Sequence, residues 1–263
     1  MLTAREITDR LLAEASAPPR ENTVDGFVAG DPDAPVSGVA TVMMPTLDAL
    51  RGAVDRGCNL VISHEPLFYD HLGDHSALEA DQDPVYLAKR EFLVEHGLVV
   101  WRFHDGWHDR NPDGVLTGVL ASLQERADVA PPEGANGTAQ TTLGDLAENV
   151  GGALGASALR VVGDPELPVS LARVSVQPGF VGFARNRGGL ANADVLIIGE
   201  GHEWEIGQYV TDAAALGLGK GMIVVGHAQS EAAGMDECAR WLRTFLEDVP
   251  VEFVGVPDPY RAV

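Results

Sequence analysis

The stretch Asn59-Leu-Val-Ile-Ser-His-Glu-Pro-Leu-Phe68 limits the fold more than any other. A short apolar run that ends on two adjacent metal-capable side chains, His64 and Glu65, and is stopped by Pro66 reads as a buried strand. Its carboxyl end opens into a crevice, the usual ligand position in open α/β folds. Residues 36–44 read as a second strand, and Thr46 can cap a helix over 47–56 that Gly57 closes. Strand, helix, strand is the unit that builds a parallel sheet.

The rest of the chain continues this pattern. Thr3 and Glu6 form a capping-box pattern, Ile7, Leu11, Leu12 and Ala15 share one helix face, and Pro18-Pro19 ends that helix. Residues 20–35 read as loop. The loop over 69–83 carries His71, Asp74 and His75, with both histidines read as surface residues. Asp83 then caps a helix over 84–95 with Pro84 at its first position. A strand over 98–103 runs into His104-Asp-Gly-Trp-His-Asp109, and a helix over 113–127 follows.

Residues 128–140 have linker composition, so one domain of 263 residues is expected to hold two lobes, 1–127 and 141–263. In the second lobe, helices are expected over 143–154, 205–216 and 230–248, and strands over 159–162, 171–177, 193–198 and 251–256. The last helix has an apolar stripe of Met235, Cys238, Trp241, Leu242, Phe245 and Leu246. Cys58-Asn-Leu-Val-Ile-Ser-His-Glu65 resembles Ala193-Asp-Val-Leu-Ile-Ile-Gly-Glu200, and the segment from Gly97 to His104 resembles that from Gly221 to His227, which suggests a duplication.

Charge excludes one class of partner. With 39 acidic against 18 basic residues the formal net charge is −21, which disfavours binding to a phosphate backbone and sets nucleic acid aside. Cys58 and Cys238 are too few for a disulfide scaffold, no run approaches the roughly 20 apolar residues of a membrane span, and the first 17 residues are broken by charges. A cytoplasmic protein without a membrane partner is the expectation.

The chemistry concentrates after strands. His227-Ala-Gln-Ser-Glu231 puts His and Glu four residues apart where a strand passes into a helix, and His104-Asp-Gly-Trp-His108 repeats the spacing. With His64 and Glu65, the set His64, Glu65, His108, His227 and Glu231 offers three imidazoles and two carboxylates. That mixture suits zinc, iron or manganese and holds enough donors for two divalent ions.

These pieces resemble the dinuclear-metal Nif-three-like family, the GTP cyclohydrolase 1 type 2 homologues. The resemblance rests on Ile62-Ser-His-Glu-Pro-Leu-Phe68, His104–His108, Asp194-Val-Leu-Ile-Ile-Gly-Glu200, Val225-Gly-His-Ala-Gln-Ser-Glu231 and the closing Asp258-Pro-Tyr260. It implies two similar α/β lobes with mostly parallel sheets, a dinuclear metal site in the crevice between them, and ring-shaped homo-oligomers, commonly hexamers. Two positions depart from the family pattern: Glu65 stands where a second His is usual, and His108 where an Asp is usual. The swaps retain donor count and charge if both bind metal, with Asp105 or Asp109 as alternatives to His108. His104 then falls at a position that orients a ligand or water, and Glu200, His202 and Glu203 match a rim element suited to proton transfer. The implied activity is metal-dependent hydrolysis of a small molecule, with a nucleotide ring or a phosphoester as candidates. The rival is metal storage or delivery, or a regulatory scaffold.

Overall fold

Local signals set most element boundaries in the computed structural model, which describes residues 1–17, 20–127 and 140–262. The Pro18-Pro19 stop and residues 128–139 of the expected linker lie outside the described residues. The Thr3 hydroxyl accepts from Glu6 N at 3.2 Å and the Glu6 carboxylate accepts from Thr3 N at 2.8 Å, closing the capping box at the head of α1 (Ala4–Ala15). Its buried side is Ala4, Ile7, Thr8, Leu11 and Ala15. Leu12, expected on that stripe, is 49% exposed, because it lies about 100° further round the helix than Leu11.

There follow β1 (Gly26–Ala29), β2 (Val39–Val42), α2 (Leu47–Asp55), β3 (Leu60–Ser63), α3 (Ser76–Ala80), α4 (Pro84–Glu95), β4 (Val99–Arg102), α5 (Asp105–Asp109) and α6 (Gly114–Ala127). Thr46 caps α2 and Asp83 caps α4, as their sequences require. β1 corrects the reading of 20–35 as loop. It is a short edge strand whose register slips between Phe27 and Ala29, so it shows no clean alternation. α3 similarly interrupts the 69–83 loop; it buries no side chain and so carries no apolar stripe.

The next elements are β5 (Gln140–Thr142), α7 (Leu143–Leu154), β6 (Arg160–Val162), β7 (Pro168–Ser170), β8 (Val174–Phe180), α8 (Phe183–Ala191), β9 (Val195–Glu200), α9 (Gln208–Ala215), β10 (Gly221–Val224), α10 (His227–Leu242) and β11 (Val251–Phe253). α8 was not expected: it buries only Asn186 and Leu190 and contains two glycines, so no periodic face announces it. α10 starts at His227 rather than 230 and stops at Leu242 rather than 248.

The chain divides into two units, Met1–Val115 with Gly234–Val256 and Leu116–Ala233 with Pro257–Val263. In the first, five strands are ordered β1-β4-β3-β2-β11, all parallel except the β1 edge. Although it comes last in the sequence, β11 bonds to β2. In the second, the order is β6-β10-β9-β8, parallel except the β6 edge, and β5 pairs with β7 separately. The series β1-β4-β3-β2 and β6-β10-β9-β8 have the same order and sense, with α2 and α8, then α4 and α9, in equivalent connections. This agreement supports the duplication. Register refines it: Leu60 bonds opposite Val99 and Val195 opposite Gly221, so His227 is equivalent to Asp105 rather than to His104.

β2, β3 and β4 are buried on both sides, hence their largely apolar runs. Val42, Val61 and Val100 pack with Leu50, Tyr86 and Leu93. Thr41, on β2, donates its hydroxyl to Met235 O at 2.8 Å, which satisfies a polar group that no water reaches.

Candidate functional site

In the first unit the site begins where β3 and β4 end side by side. β3 delivers the fully buried His64 and then Glu65; β4 delivers Arg102 and, past Phe103, His104; α5 carries His108 one turn on. The rings of His64 and His104 stack with centroids 4.6 Å apart, and His108 lies 5.0 Å from His64 and 5.1 Å from His104. One ring nitrogen from each of the three lies within 4.8 Å of the others.

Each of these rings turns Nδ1 to an oxygen acceptor. His64 Nδ1 is 3.2 Å from Phe103 O, His104 Nδ1 is 3.0 Å from the Asp105 carboxylate, and His108 Nδ1 is 3.1 Å from Asp113 Oδ2. A carbonyl or carboxylate oxygen accepts only, so in the neutral rings Nδ1 carries the hydrogen and Nε2 the lone pair. Burial lowers the His104 pKa and so favours its neutral form, against the raising effect of Asp105. At Asp105 burial works the other way. The carboxyl nevertheless lies below its usual value, because His104, Val24 N, the Thr23 hydroxyl and Arg20 all stabilise its charge.

Asp25, which sequence reasoning missed, holds α5 in place. Its Oδ1 accepts from His104 N at 2.7 Å and Asp105 N at 2.8 Å, and its Oδ2 accepts from Gly106 N at 2.7 Å. A Cβ at Gly106 would press on Phe103 and on Asp25 itself, so the glycine permits the close approach. Arg20 grips Asp109 through two nitrogens and also meets Asp105 at 2.8 Å. Of the two carboxylates weighed against His108, Asp109 is held by Arg20, and Asp105 by Arg20, Thr23, Val24 N and His104.

Arg102 is the second residue sequence reasoning missed, although a charge inside an apolar strand is a signal. It is 2% exposed, donates Nε to His64 O at 3.1 Å, and faces Glu65 Oε2 at 3.7 Å. It also donates Nη1 to His71 O at 2.6 Å and meets His71 Nδ1 through Nη2 at 3.2 Å. Burial lowers its pKa, offset chiefly by Glu65. His75 stays apart, with Nδ1 on Gly73 O.

The second unit has its own donor group. Gly226, at φ +103°, turns the chain from β10 into α10, which begins at His227 and bears the buried Glu231 one turn on. His227 Nδ1 meets Glu200 Oε1 at 2.8 Å and its Nε2 meets Glu231 Oε2 at 3.2 Å. Glu200, read from sequence as a proton-transfer candidate, is the carboxylate that orients His227. Ser230 Oγ accepts from Gly179 N at 2.9 Å, which brings the end of β8 onto the same turn. His202 pairs with Glu205 at 3.1 Å and stacks on Trp204 at 4.3 Å, and Glu203 pairs with Arg160 at 3.2 Å. Of the three rim residues, Glu200 is the one hydrogen-bonded to His227. Among the described residues, no helix is long and apolar enough to cross a membrane.

The family model described as Duf34/NIF3 (NGG1p interacting factor 3) matches residues 5–259. A protein named GTP cyclohydrolase 1 type 2 homolog from Staphylococcus aureus (strain MRSA252) is 32% identical over 90 residues, 34% of this chain and 23% of that protein. The one from strain COL matches to the same extent, so the matched stretch spans less than a quarter of these relatives. Two solved structures share the fold. Staphylococcus aureus protein SA1388 gives a TM-score of 0.73 at 18% identity, and a Bacillus cereus protein related to NIF3 gives 0.71 at 16% identity, each covering 100% of this chain and 99% of the other.

Proposed function

This chain belongs to the Duf34/NIF3 family, and we propose that it is a metal-dependent hydrolase that opens a nucleotide ring or cleaves a phosphoester. The observation that carries the reading is the shared orientation of His64, His104 and His108. Each has its Nδ1 on an oxygen acceptor and so offers the lone pair of the other nitrogen, as metal-bound imidazoles do. The second donor group fits a cation for a related reason: His227 Nε2 and Glu231 Oε2 face each other at 3.2 Å, an arrangement in which one cation satisfies both.

The proposed ligands are His64, Glu65 and His108 in the first unit and His227 and Glu231 in the second, with two zinc, iron or manganese ions per chain. A donor group in each unit supports that number. Bound divalent ions would supply a water of lowered pKa and polarise the oxygen of the attacked group. The protein's own part is orientation and proton handling. Asp105, Asp113 and Glu200 hold imidazole tautomers, Arg102 holds the His64 carbonyl and the Glu65 carboxylate, and His104, Glu200 and His202 are the proposed proton carriers. A small-molecule substrate, a ring-shaped homo-oligomer such as a hexamer, and a cytoplasmic setting belong to the same proposal. The family resemblance supports the first two, and the free, buried Cys58 and Cys238 support the third.

Elemental analysis of protein purified without chelator and reconstituted with zinc, manganese or iron tests the reading. About two ions per chain are expected, falling in Glu231→Ala and His227→Ala, followed by hydrolysis in a screen of nucleotides and phosphoesters. A chain that takes up no metal, or wild-type metal content in both variants, refutes the assignment.

A further inference from the structure

The histidines grouped beyond the ends of β3 and β4 do not all carry their hydrogen on the same nitrogen. His64, His104 and His108 each turn Nδ1 to an acceptor. His71 does the reverse: its Nδ1 lies 3.2 Å from Arg102 Nη2, and a guanidinium can only donate. Nδ1 of His71 therefore accepts, and in the neutral ring Nε2 bears the hydrogen. The opposite tautomer would set two N–H groups against each other.

This arrangement is built rather than incidental. Arg102 holds His71 twice, since Nη1 also donates to the His71 carbonyl at 2.6 Å, and Arg102 is itself anchored by His64 O. The loop backbone that follows it is fastened by Asp70, whose Oδ1 accepts from Leu72 N at 2.8 Å and Asp74 N at 3.0 Å. The His71 ring lies edge-on to that of His104, with centroids 5.2 Å apart, yet the residue is exposed to solvent. An imidazole with a fixed N–H, on the open side of a group of lone-pair imidazoles, is placed to serve what enters from solution.

We propose that His71 is a substrate-binding residue, whose Nε2–H donates a hydrogen bond to an anionic oxygen, phosphoryl or carboxylate, of the substrate. This rests on the metal-dependent reading of the site. It gives His71 a role distinct from the ligands: bearing hydrogen on Nε2 and engaged by Arg102 at Nδ1, it does not coordinate metal. Pre-setting the donor removes an ordering cost at binding and makes the contact selective for oxygen acceptors.

Zinc-loaded protein labelled with ¹⁵N-histidine tests this, with inorganic phosphate as the probe. The two-bond ¹H–¹⁵N spectrum is expected to show His71 as the Nε2–H tautomer and to shift that signal on addition of phosphate. His71→Ala is expected to keep wild-type zinc content while weakening phosphate binding by about tenfold, the size of one charge-assisted hydrogen bond. His71→Gln, which keeps an N–H donor, should recover part of the loss. An Nδ1–H tautomer, unchanged phosphate affinity in His71→Ala, absence of phosphate binding by the zinc-loaded wild type, or loss of zinc in His71→Ala each overturns the proposal. A wild type that takes up no zinc overturns the metal reading and this proposal with it. Normal zinc with unaltered phosphate binding overturns the role of His71 alone.

Discussion

Replacing Asp25 by alanine removes the carboxylate that holds the start of α5. Three backbone N–H groups, those of His104, Asp105 and Gly106, donate to it at 2.7 to 2.8 Å in partly buried surroundings. A hydrogen bond to a charged acceptor contributes about 1.5 kcal/mol or more net, and water reaching the opened turn returns part of that, so Asp25→Ala is expected to destabilise the fold by about 3–4 kcal/mol. Against a typical total of roughly 5–15 kcal/mol this is a large fraction. Asp25→Asn separates the contributions. Its one carbonyl oxygen can take the place of Oδ1 and keep the bonds from His104 and Asp105, while its amide would face Gly106 N–H; about 1–2 kcal/mol is expected. Urea unfolding followed by far-ultraviolet circular dichroism measures both, and zinc titration reads the consequence for His104 and His108. Loosening the start of α5, which carries the proposed ligand His108, is expected to weaken zinc binding by about 10–100-fold. If Asp25→Ala costs less than about 1 kcal/mol with unchanged zinc affinity, the carboxylate does not organise this end of the site.

The remaining predictions concern Lys89, Gly179 and Glu200. Burial lowers the Lys89 pKa from 10.5 to about 8, and its ammonium donates to Leu67 O at 2.6 Å. The folded value lies below the unfolded one, so between those pH values the unfolded chain binds more protons and stability rises with pH. The contribution is complete above 10.5 and lost as pH falls through about 8. It amounts to about 3 kcal/mol, and urea midpoints of the wild type and Lys89→Met across this window should diverge accordingly. At Gly179, φ is +66° and an added Cβ would collide with the Glu231 carboxylate. Gly179→Ala is therefore expected to cost about 1–2 kcal/mol from the left-handed backbone alone and to lower zinc per chain by elemental analysis. Glu200→Ala, which removes the carboxylate that His227 Nδ1 meets, is expected to reduce zinc affinity by about 10–100-fold in a competitive chelator titration, with Glu200→Gln retaining more than Glu200→Ala.

Much was legible in the sequence because it depends on neighbours within a few residues. The Thr3/Glu6 box, the Thr46 and Asp83 caps, and the buried runs 60–63 and 99–102 each carry their own signal, and the elements formed where those signals lie. β1, α3 and α8 were not legible. A bulged edge strand, a five-residue helix with no buried side chain and a helix with two buried residues lack the period that burial imposes.

The site divides along the same line. Sequence by itself determined which side chains stand at strand ends, that His64 precedes Glu65, and that His227 and Glu231 are one helical turn apart, because those relations follow from chain order and helix geometry. Only the tertiary structure decided how they are held. Asp25 reaches α5 from about 80 residues away in the chain, Arg102 reaches His71 from 31 residues away, and Glu200 reaches His227 from 27. A hydrogen bond requires a donor and acceptor about 3 Å apart, and the folding of strands onto one another sets that distance between remote residues. The placement of the hydrogen on each histidine therefore follows from the folded chain and not from the order of its residues.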